Sequence, residues 1–391
     1  MSESTFLEKM LDGAEVDWKP LGEVFDVFAG GDVPKEALSK IKTEKFNIPI
    51  LSNGIGGRSL YGWTNIPKVK KPSLTISARG TIGWTSYRTE PFFPIVRLLV
   101  LTPKVEMNLR YYYHFMKTIE NDYKVAPAGI PQLTKPMIKD AQLPIPFPND
   151  PEKSLAIQAE IVRILDTFTE LTTELTTELT TELTARTKQY NYYRDQLLTF
   201  EDCAVTWKEL GNVTEINTGQ KPSEILESAT DFDYINAGTS RSGYSANSNC
   251  EGDIVTTPSR GQGGIGYVGY QKEPFWLGAL CYKMKSKDKD FLINKYLYYF
   301  LQSKSELLLG LKKEGGVPAV NKTDLAKLQI PVPSPSEQAR IVAILDKFDT
   351  LTHSISEGLP REIEQRQKQY EYYRDLLLSF PKPEAQMEKV A

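Results

Sequence analysis

Hydrophobic residues in the middle of the chain follow a spacing typical of one long helix. Four uninterrupted copies of Thr-Glu-Leu-Thr occupy residues 169–184, and their leucines stand at Leu171, Leu175, Leu179 and Leu183. A step of four residues advances about 40° beyond one helical turn, so these side chains form one slowly drifting stripe. Asp150 can cap the helix start, and Pro151 suits the first helical position. The pattern predicts a spacer helix over 151–200, roughly 70 Å long.

A second segment repeats this helix. Residues 161–168 and 188–200 recur nearly unchanged 180 positions later, and Ser334 to Glu337 form a capping box with proline at its first position. The stripe maps onto Leu351, Ile355, Leu359 and Ile363. Gly358 and Pro360 interrupt the helical composition, and because the register continues across them we predict a kink rather than a break. Two matched stripes in one chain predict that the helices pair as an antiparallel coiled coil.

The segments outside the helices are weaker repeats of each other. Both open on Trp-Lys-x-Leu-Gly, at Trp18 and Trp207, and both end in Pro-x-Pro, at Pro146 and Pro333. Short β-rich runs at 74–77, 97–101, 253–257 and 280–284 predict strands, and tyrosine-rich runs near 110–115 and 296–300 predict short amphipathic helices on a sheet. We therefore predict an α+β fold with an internal pseudo-two-fold repeat: two similar mixed α/β globular domains separated by two long helices.

The predicted order is a first domain (1–150), a long helix (151–200), a second domain (201–334), a second long helix (335–380) and a flexible tail (381–391). Between their entries and exits the two domains diverge, keeping only landmarks such as Glu-Pro-Phe at 90–92 and 273–275. Two different ligands held on one scaffold would produce this divergence, and neutral drift after duplication is the alternative.

Charge and composition limit the candidate functions. The net charge is −3, with the acidic excess on the helices and a mildly basic first domain. Because nucleic-acid binders are more often strongly basic, this balance argues against tight unaided DNA binding but allows binding within a larger assembly. No apolar run is long enough to cross a membrane, and the N-terminus lacks a secretory pattern, so we expect a cytoplasmic protein without membrane contact. The three cysteines are far apart, which predicts neither a disulfide framework nor a zinc site.

Motifs that carry chemistry are few. Residues 261–266 match the dinucleotide fingerprint G-x-G-x-x-G, but a strand-like run follows where that motif requires a helix, so we interpret the segment as a loop. The phosphate-binding G-x-x-x-x-G-K-[ST] motif does not occur in the sequence, and the two histidines, His114 and His353, are isolated. We predict no catalytic residue, no metal site and no cofactor in this chain.

Polar residues in the loops are candidates for DNA contact, because Arg and Lys pair with guanine or phosphate, Asn and Gln with adenine, and Ser and Thr with either base or phosphate. In the first domain they are Asn53, Arg58, Lys68, Lys70, Lys71, Ser77, Arg79 and Tyr87. In the second domain they are Lys221, Asn236, Thr239, Arg241, Ser259, Arg260, Gln262, Tyr267 and Lys272. Arg79 and Arg260 rank first because they occupy equivalent glycine-rich loops. The alternative is that surface loops carry polar residues without a ligand.

The helix ends carry the motif Lys-Gln-Tyr-x-Tyr-Tyr-Arg-Asp, at 188–195 and 368–375. This is more aromatic surface than one pair of helices can bury. Docking of a partner protein would account for it, as would burial against the chain's own globular domains.

Together these features resemble the specificity (S) subunit of a type I restriction-modification system, over essentially the whole chain. The resemblance rests on the Trp-Lys-x-Leu-Gly entries, the Pro-x-Pro exits and the near-identical helices. The Thr-Glu-Leu-Thr copies are similar to the subgroup in which four-residue repeats set the gap between half-sites.

This resemblance implies that each globular segment is a target recognition domain reading one half of a bipartite, asymmetric sequence in double-stranded DNA. It also implies that the helices set the spacing and dock two methyltransferase (M) subunits, and that restriction (R) subunits join the full complex. S-adenosylmethionine, ATP and Mg would then bind the partner subunits. The main alternative is a structural adapter whose duplicated domains bind proteins, and a self-sufficient methyltransferase or nuclease fits less well because no catalytic motif is found.

Overall fold

The structure, a computed structural model, describes residues 15–123, 125, 131–201, 205–228, 232–261, 263–313, 317–354 and 357–380. The chain folds into two compact units, a first unit of Met1–Thr177 with Glu364–Ala391 and a second unit of Glu178–Ile363. Each unit holds one globular domain and part of each long helical segment. The predicted tail at 381–391 lies outside the described residues.

In its described residues the first domain has nine strands and three short helices. The strands are β1 Val16–Pro20, β2 Phe25–Ala29, β3 Ile48–Leu51, β4 Leu60–Thr64, β5 Ser73–Ser77, β6 Thr85–Arg88, β7 Phe93–Pro94, β8 Leu98–Pro103 and β9 Gln142–Pro146. The helices are α1 Leu21–Val24, α2 Leu109–Thr118 and α3 Lys135–Lys139, and two 3₁₀ turns lie at Lys35–Ala37 and Gly56–Ser59. The long helix α4, Pro151–Leu197, follows.

The second domain has as many strands in its described residues as the first. Its strands are β10 Thr206–Glu209, β11 Thr214–Thr218, β12 Phe232–Ile235, β13 Gly243–Ser245, β14 Ile254–Pro258, β15 Gly269–Gln271, β16 Phe275–Leu277, β17 Cys281–Ser286 and β18 Gln329–Val332. Its helices are α5 Leu210–Val213, α6 Asn294–Ser303, α7 Ser305–Gly310 and α8 Lys322–Ala326. Two longer helices end the described chain, α9 Pro335–His353 and α10 Gly358–Leu377.

Both domains have the same three sheets. In the first domain they are the antiparallel pair β1-β9, the four-stranded sheet β2-β8-β5-β6 and the three-stranded sheet β4-β3-β7. The second domain has β10-β18, β11-β17-β14-β15 and β13-β12-β16 in the same places. In each three-stranded sheet one neighbour of the central strand is antiparallel and the other parallel. The predicted internal repeat and α+β class are confirmed, although the two domains share few residues.

Alternation along the strands determines what each sheet face contacts. On β5, Leu74 and Ile76 pack with α2 in the main core of the first unit, and the residues that alternate with them, Ser73 and Thr75, are buried on the opposite face. That opposite face lies towards the three-stranded sheet. The predicted strand runs fall in β5, β8, β14 and β17, and the tyrosine-rich runs form α2 and α6, so both predictions are confirmed.

The long helices begin where the sequence indicates. Asp150 accepts a hydrogen bond from the Lys153 N–H at 3.1 Å, and Ser334 accepts one from the Glu337 N–H at 3.3 Å. Within α4 the threonine hydroxyls bond back along the helix: that of Thr173 donates to the Thr169 carbonyl and that of Thr177 to the Thr173 carbonyl, each at 2.7 Å. These bonds give each of the two hydroxyls a partner one turn earlier in its own helix.

Aromatic contacts show how the helices pair within each unit. In the first unit Phe168 meets Tyr373, with ring centroids 5.7 Å apart, and in the second unit Phe348 meets Tyr193 at 5.8 Å. The two contacts are equivalent, because each residue has its counterpart 180 positions away. The first unit adds a 3.0 Å hydrogen bond from Thr169 to Tyr370. Residue numbers rise along one helix while they fall along its partner, so the predicted antiparallel pairing is confirmed.

The predicted leucine stripe is unevenly covered. Leu175, Leu179, Leu183, Leu351 and Ile363 are half-buried, Leu359 is buried and Leu171 is exposed. Ile355 lies outside the described residues.

The prediction of a kink at Gly358 and Pro360 is wrong. α9 ends at His353 with Ser354 in an extended conformation, and α10 begins at Gly358 as a separate helix. Pro360 therefore stands in a first helical turn, where a missing N–H leaves no hydrogen bond unmade. Gly358 has φ +77°, a left-handed conformation that side chains disfavour.

Gly358→Ala should destabilise the chain. An added Cβ would lie 2.5 Å from the Thr350 carbonyl oxygen and 2.8 Å from that of Leu351, in addition to the cost of a left-handed alanine, about 1–2 kcal/mol. The measurement is the thermal unfolding midpoint of the full chain, which should fall. Gly310→Ala is the matched control, because no neighbouring atom lies within 4 Å of its added Cβ. Equal midpoints for both variants would contradict the assigned backbone conformation.

Candidate nucleic-acid interface

A polar cavity of about 220 Å³ lies between the two larger sheets of the second domain. Its wall combines the end of β12, the loop after it, and the strands β14 and β15. Three predicted DNA-contact residues line it, namely Asn236, Arg241 and Tyr267. Arg241 pairs with Asp233 at 3.0 Å and stacks over Tyr244, so its guanidinium is held at the rim. Burial raises the pKa of Tyr267, so its hydroxyl stays protonated at neutral pH.

The corresponding loops of the first domain are braced by their own polar side chains. The Asn53 amide donates to the Arg79 carbonyl at 2.9 Å, and Gly54 N–H donates to the buried Ser77 hydroxyl. The Arg79 guanidinium donates through Nε and Nη2 to the side-chain oxygen of Gln132. Asn53 and Arg79, far apart in sequence, are thus brought together.

The other predicted residues occupy several different environments. The exposed ones are Arg58, Lys68, Lys70 and Lys71 of the first domain and Lys221, Thr239, Arg260 and Lys272 of the second. Ser259 is buried, and the Asn236 side-chain oxygen accepts a bond from Leu280 N–H at 2.9 Å, so these two have a bracing role in the loops. Tyr87 packs its ring against Tyr113 on the helix side of β6. Gln262 lies outside the described residues.

The loop that matches G-x-G-x-x-G leads into β15, as expected from its sequence. No helix begins between residues 263 and 271, so this part of the chain lacks the helix N-terminus that would hold a pyrophosphate. Among the described residues no group of three or more His, Cys, Asp or Glu could hold a metal ion. Nor does the described chain contain a helix long and apolar enough to cross a membrane.

Two half-buried residues that sequence reasoning missed stand beside these loops. Arg88 ends β6 and Gln271 ends β15, and each donates a side-chain hydrogen bond to a buried threonine of the neighbouring strand. Both come two residues before the Glu-Pro-Phe landmark shared by the domains. Aligning the domains on that landmark would have singled them out.

Each domain is fixed to the long helices by one aspartate, an arrangement we call the aspartate clamp. In the first unit both Asp166 oxygens accept from Arg110 Nε at 2.8 Å, and one accepts from His114 Nε2 at 2.8 Å. In the second unit Asp346 pairs with Lys295 at 2.8 Å and accepts from the Tyr299 hydroxyl at 2.5 Å. The two aspartates are 180 positions apart, so one interface is used twice.

A glutamine near each clamp completes this interface. Gln158 accepts from the Asn108 N–H at 3.0 Å, and Gln338 accepts from the Ile293 N–H at 2.9 Å, at the start of α2 and α6 respectively. Both glutamines are buried. They supply acceptors to helix N-termini whose first N–H groups have no partner within the helix.

The pKa values of Asp166 and His114 in the first clamp both lie below their ordinary values. Burial raises the pKa of Asp166, but hydrogen bonds from Arg110 and His114 outweigh it and hold that pKa below its ordinary value. Burial lowers the pKa of His114 despite its bond to Asp166. The ring is therefore neutral at pH 7, donating through Nε2, while its buried Nδ1 has no hydrogen-bond partner among the described residues.

The repeated tyrosines at the helix ends divide between burial and exposure. Tyr190 is buried and Tyr370 half-buried, so the chain covers the first tyrosine of each motif itself. The next two, Tyr192 with Tyr193 and Tyr372 with Tyr373, are exposed and stack edge to face at 5.4 Å in both places. Of the two explanations for the aromatic surplus, self-burial accounts for one tyrosine in each motif and leaves a matched exposed pair.

Comparisons with known proteins agree with this architecture. The family model described as the type I restriction modification DNA specificity domain matches residues 15–185 and again 204–365. The chain is 37% identical over 417 residues to the type I restriction enzyme EcoR124I/EcoR124II specificity subunit of Escherichia coli, covering 98% of this chain and 99% of that protein. It is 34% identical over 403 residues to a putative type I restriction enzyme specificity subunit, S.HindORF215P, of Haemophilus influenzae, covering 96% and 98%.

Two solved structures share the fold. The type I restriction-modification S subunit from M. genitalium matches with a TM-score of 0.52 at 18% identity, covering 95% of this chain and 98% of that one. A chain from a structure of complex assembly and conformational transition in a type I R-M system matches with a TM-score of 0.62 at 15% identity, covering 93% and 97%. At such identities the likeness concerns the fold alone.

His114→Gln should weaken the pH dependence of stability between about pH 5.5 and 7.5. Because the pKa of His114 is lower in the folded chain, the unfolded chain takes up the proton first, and stability falls as pH drops below the ordinary histidine value. Glutamine keeps a donor for Asp166 and does not titrate. The measurement is the thermal unfolding midpoint at both pH values, with His353→Gln as control, and an unchanged pH dependence in His114→Gln would count against the prediction.

Proposed function

The chain belongs to the family of type I restriction-modification DNA specificity subunits, and we propose that each globular domain reads one half of a bipartite, asymmetric DNA target. The observation that supports this best is the repeated architecture: the same three sheets and the same aspartate clamp occur twice, with different side chains in the loops. A scaffold that holds both domains on the helices in the same way, while their loop residues differ, suits the recognition of two dissimilar half-sites. Exposed lysines and arginines would supply the phosphate contacts that set register on the duplex.

The long helices would set the distance between the half-sites. α4 is continuous through all four repeats, and one repeat adds about 6 Å and about 40° of helix. One base pair is about 3.4 Å of duplex. Changing the number of repeats should therefore change the gap between half-sites while leaving both half-sites the same.

The partners we propose are two methyltransferase (M) subunits, with restriction (R) subunits joining the full complex. The paired exposed tyrosines at 192–193 and 372–373 support two copies of one partner, because the same aromatic surface occurs at both helix ends. Tyrosine is favoured at such contacts because its ring is apolar and its hydroxyl can hydrogen-bond.

Catalysis would belong to those partners. We expect this chain to be non-catalytic, with S-adenosylmethionine on the M subunits and ATP and Mg on the other subunits of the complex. Acting on chromosomal DNA would place the complex in the cytoplasm. In this arrangement the chain selects the adenines to be methylated and the partner modifies them.

Exchanging residues 19–145 for the corresponding segment of another family member should change one half of the methylated sequence. The clamp residue Asp166 lies outside the exchanged segment, so the new domain meets an unaltered helix. The measurement is genome-wide mapping of methylated adenines in cells that also express the M subunit. An unchanged motif together with a new set of bound proteins would favour the adapter alternative.

Deleting one repeat, residues 173–176, should shift the gap between half-sites by one or two base pairs, from the 6 Å of helix removed. The same methylation mapping tests this, with both half-sites expected to stay the same. Glu174→Gln, which alters a repeat without changing its length, is the control. An unaltered gap in the deletion variant would contradict the role of the helix as a ruler.

A further inference from the structure

At one strand position the two domains carry different side chains in equivalent places. Arg88 on β6 lies opposite Ser73 of β5, and Gln271 on β15 lies opposite Ile254 of β14. The strand pairs β5-β6 and β14-β15 occupy the same edge of the four-stranded sheet in their respective domains. Arg88 and Gln271 are therefore structural equivalents.

Their hydrogen bonds confirm this equivalence. Arg88 Nε donates to the Thr75 hydroxyl at 3.3 Å, and Gln271 Nε2 donates to the Thr256 hydroxyl at 3.1 Å. Both threonines are buried. Thr75 lies two residues after Ser73, which is opposite Arg88, and Thr256 lies two residues after Ile254, which is opposite Gln271. The same diagonal contact thus holds both side chains against the sheet.

Neighbouring residues show which way the two side chains face. Tyr87 and Tyr270, one position earlier, pack against Tyr113 and Tyr298 on the helix side of the sheet. Because side chains alternate along a strand, Arg88 and Gln271 face the opposite side, towards the three-stranded sheet. Gln271 borders the 220 Å³ cavity there.

Arg88 lacks the acidic partner that a half-buried arginine ordinarily has. Its second contact is a 3.4 Å bond from Nη2 to the Ser59 hydroxyl, and in the described part of the chain no carboxylate lies within ion-pair distance of it. Burial lowers its pKa from the ordinary value. A desolvated guanidinium with unused donors favours an electronegative ligand. In this respect Arg88 differs from Arg110 and Arg241, whose guanidinium groups pair with Asp166 and Asp233.

The two side chains match different bases. The arginine fork pairs with the O6 and N7 acceptors of guanine, and the glutamine amide pairs with the N7 acceptor and N6 donor of adenine. We propose that Arg88 and Gln271 are equivalent base-reading residues, Arg88 selecting a guanine in the half-site of the first domain and Gln271 an adenine in that of the second. This inference rests on the proposed function. Thr75 and Thr256 are the positioning residues that aim the two side chains.

Reciprocal substitution tests the assignment. Arg88→Gln should replace or relax one guanine in one half-site, and Gln271→Arg should do the same to one adenine in the other. Loss of a bidentate pair corresponds to about a 5- to 150-fold loss of discrimination at that base pair. The second domain already carries glutamine beside an equivalent threonine, so Arg88→Gln is expected to fold. The readout is genome-wide methylated-adenine mapping with the M subunit co-expressed in a methylation-free host.

Two further variants sharpen the result. Arg88→Lys keeps the charge without the fork, so it too should lose discrimination for guanine at that position. Arg163→Gln removes a positive charge from an exposed site on α4, where Arg163 pairs with Glu160, and should leave the motif unchanged. Thermal unfolding of each variant checks that the chain is folded.

Three outcomes are distinguishable. A bipartite wild-type motif that stays unchanged in both Arg88→Gln and Gln271→Arg would overturn the base-reading assignment. So would a uniform loss of methylation with an unchanged motif in folded Arg88→Gln, because that is the behaviour of a phosphate contact. A wild-type chain that directs no bipartite motif would instead overturn the proposed function itself.

Discussion

The interface between each globular domain and the long helices is the constraint on which the rest of the structure depends. Ile161 and Leu165 are fully buried there in the first unit, as Ile341 and Leu345 are in the second. Burying a side chain of this size contributes about 1.5–3 kcal/mol, whereas a partly exposed ion pair contributes about 0–1 kcal/mol. Apolar contact therefore supplies the strength of the interface. The aspartate supplies its geometry, because a carboxylate held by two directed donors accepts only one orientation of α2 or α6.

A fixed interface leaves the far side of each domain free to differ. The helix-facing side of the four-stranded sheet is filled by leucine, isoleucine and tyrosine in both domains, where a change in volume would disturb packing. The opposite side packs small apolar clusters against the three-stranded sheet, and in the second domain the polar cavity lies there as well. Replacing arginine with glutamine there changes hydrogen-bonding capacity but leaves the threonine contact and the backbone the same. Under the proposed function, the scaffold thus separates positions that determine folding from positions that read DNA.

The sequence predicted much of the fold because its signals were periodic. The helices, their caps, the strand runs and the duplication followed from spacing alone. The predicted kink at Gly358 was wrong because the sequence register shows only which face of a helix a residue would occupy. Whether the helix continues depends on the backbone conformation, and the φ of Gly358 is left-handed. The cavity of the second domain was harder to predict, because it forms where two sheets approach each other through contacts between segments that are distant in sequence. Loop residues such as Asn53 and Asn236 were candidates for DNA contact because they are polar, but their side chains brace the loops. Arg88 was not a candidate because only loop residues were considered, and Arg88 lies in a strand.

In α4 the hydroxyls of Thr173 and Thr177 bond to carbonyls one turn earlier, each in the Thr-Glu-Leu-Thr copy before its own. The four copies are identical, so the segment has no unique central residue. Because the copies are interchangeable, one copy more or fewer would keep this pattern of hydroxyl bonds in the others. Under the proposed role of the helix as a ruler, its length would change only in whole steps of four residues, while every residue of both globular domains stayed the same.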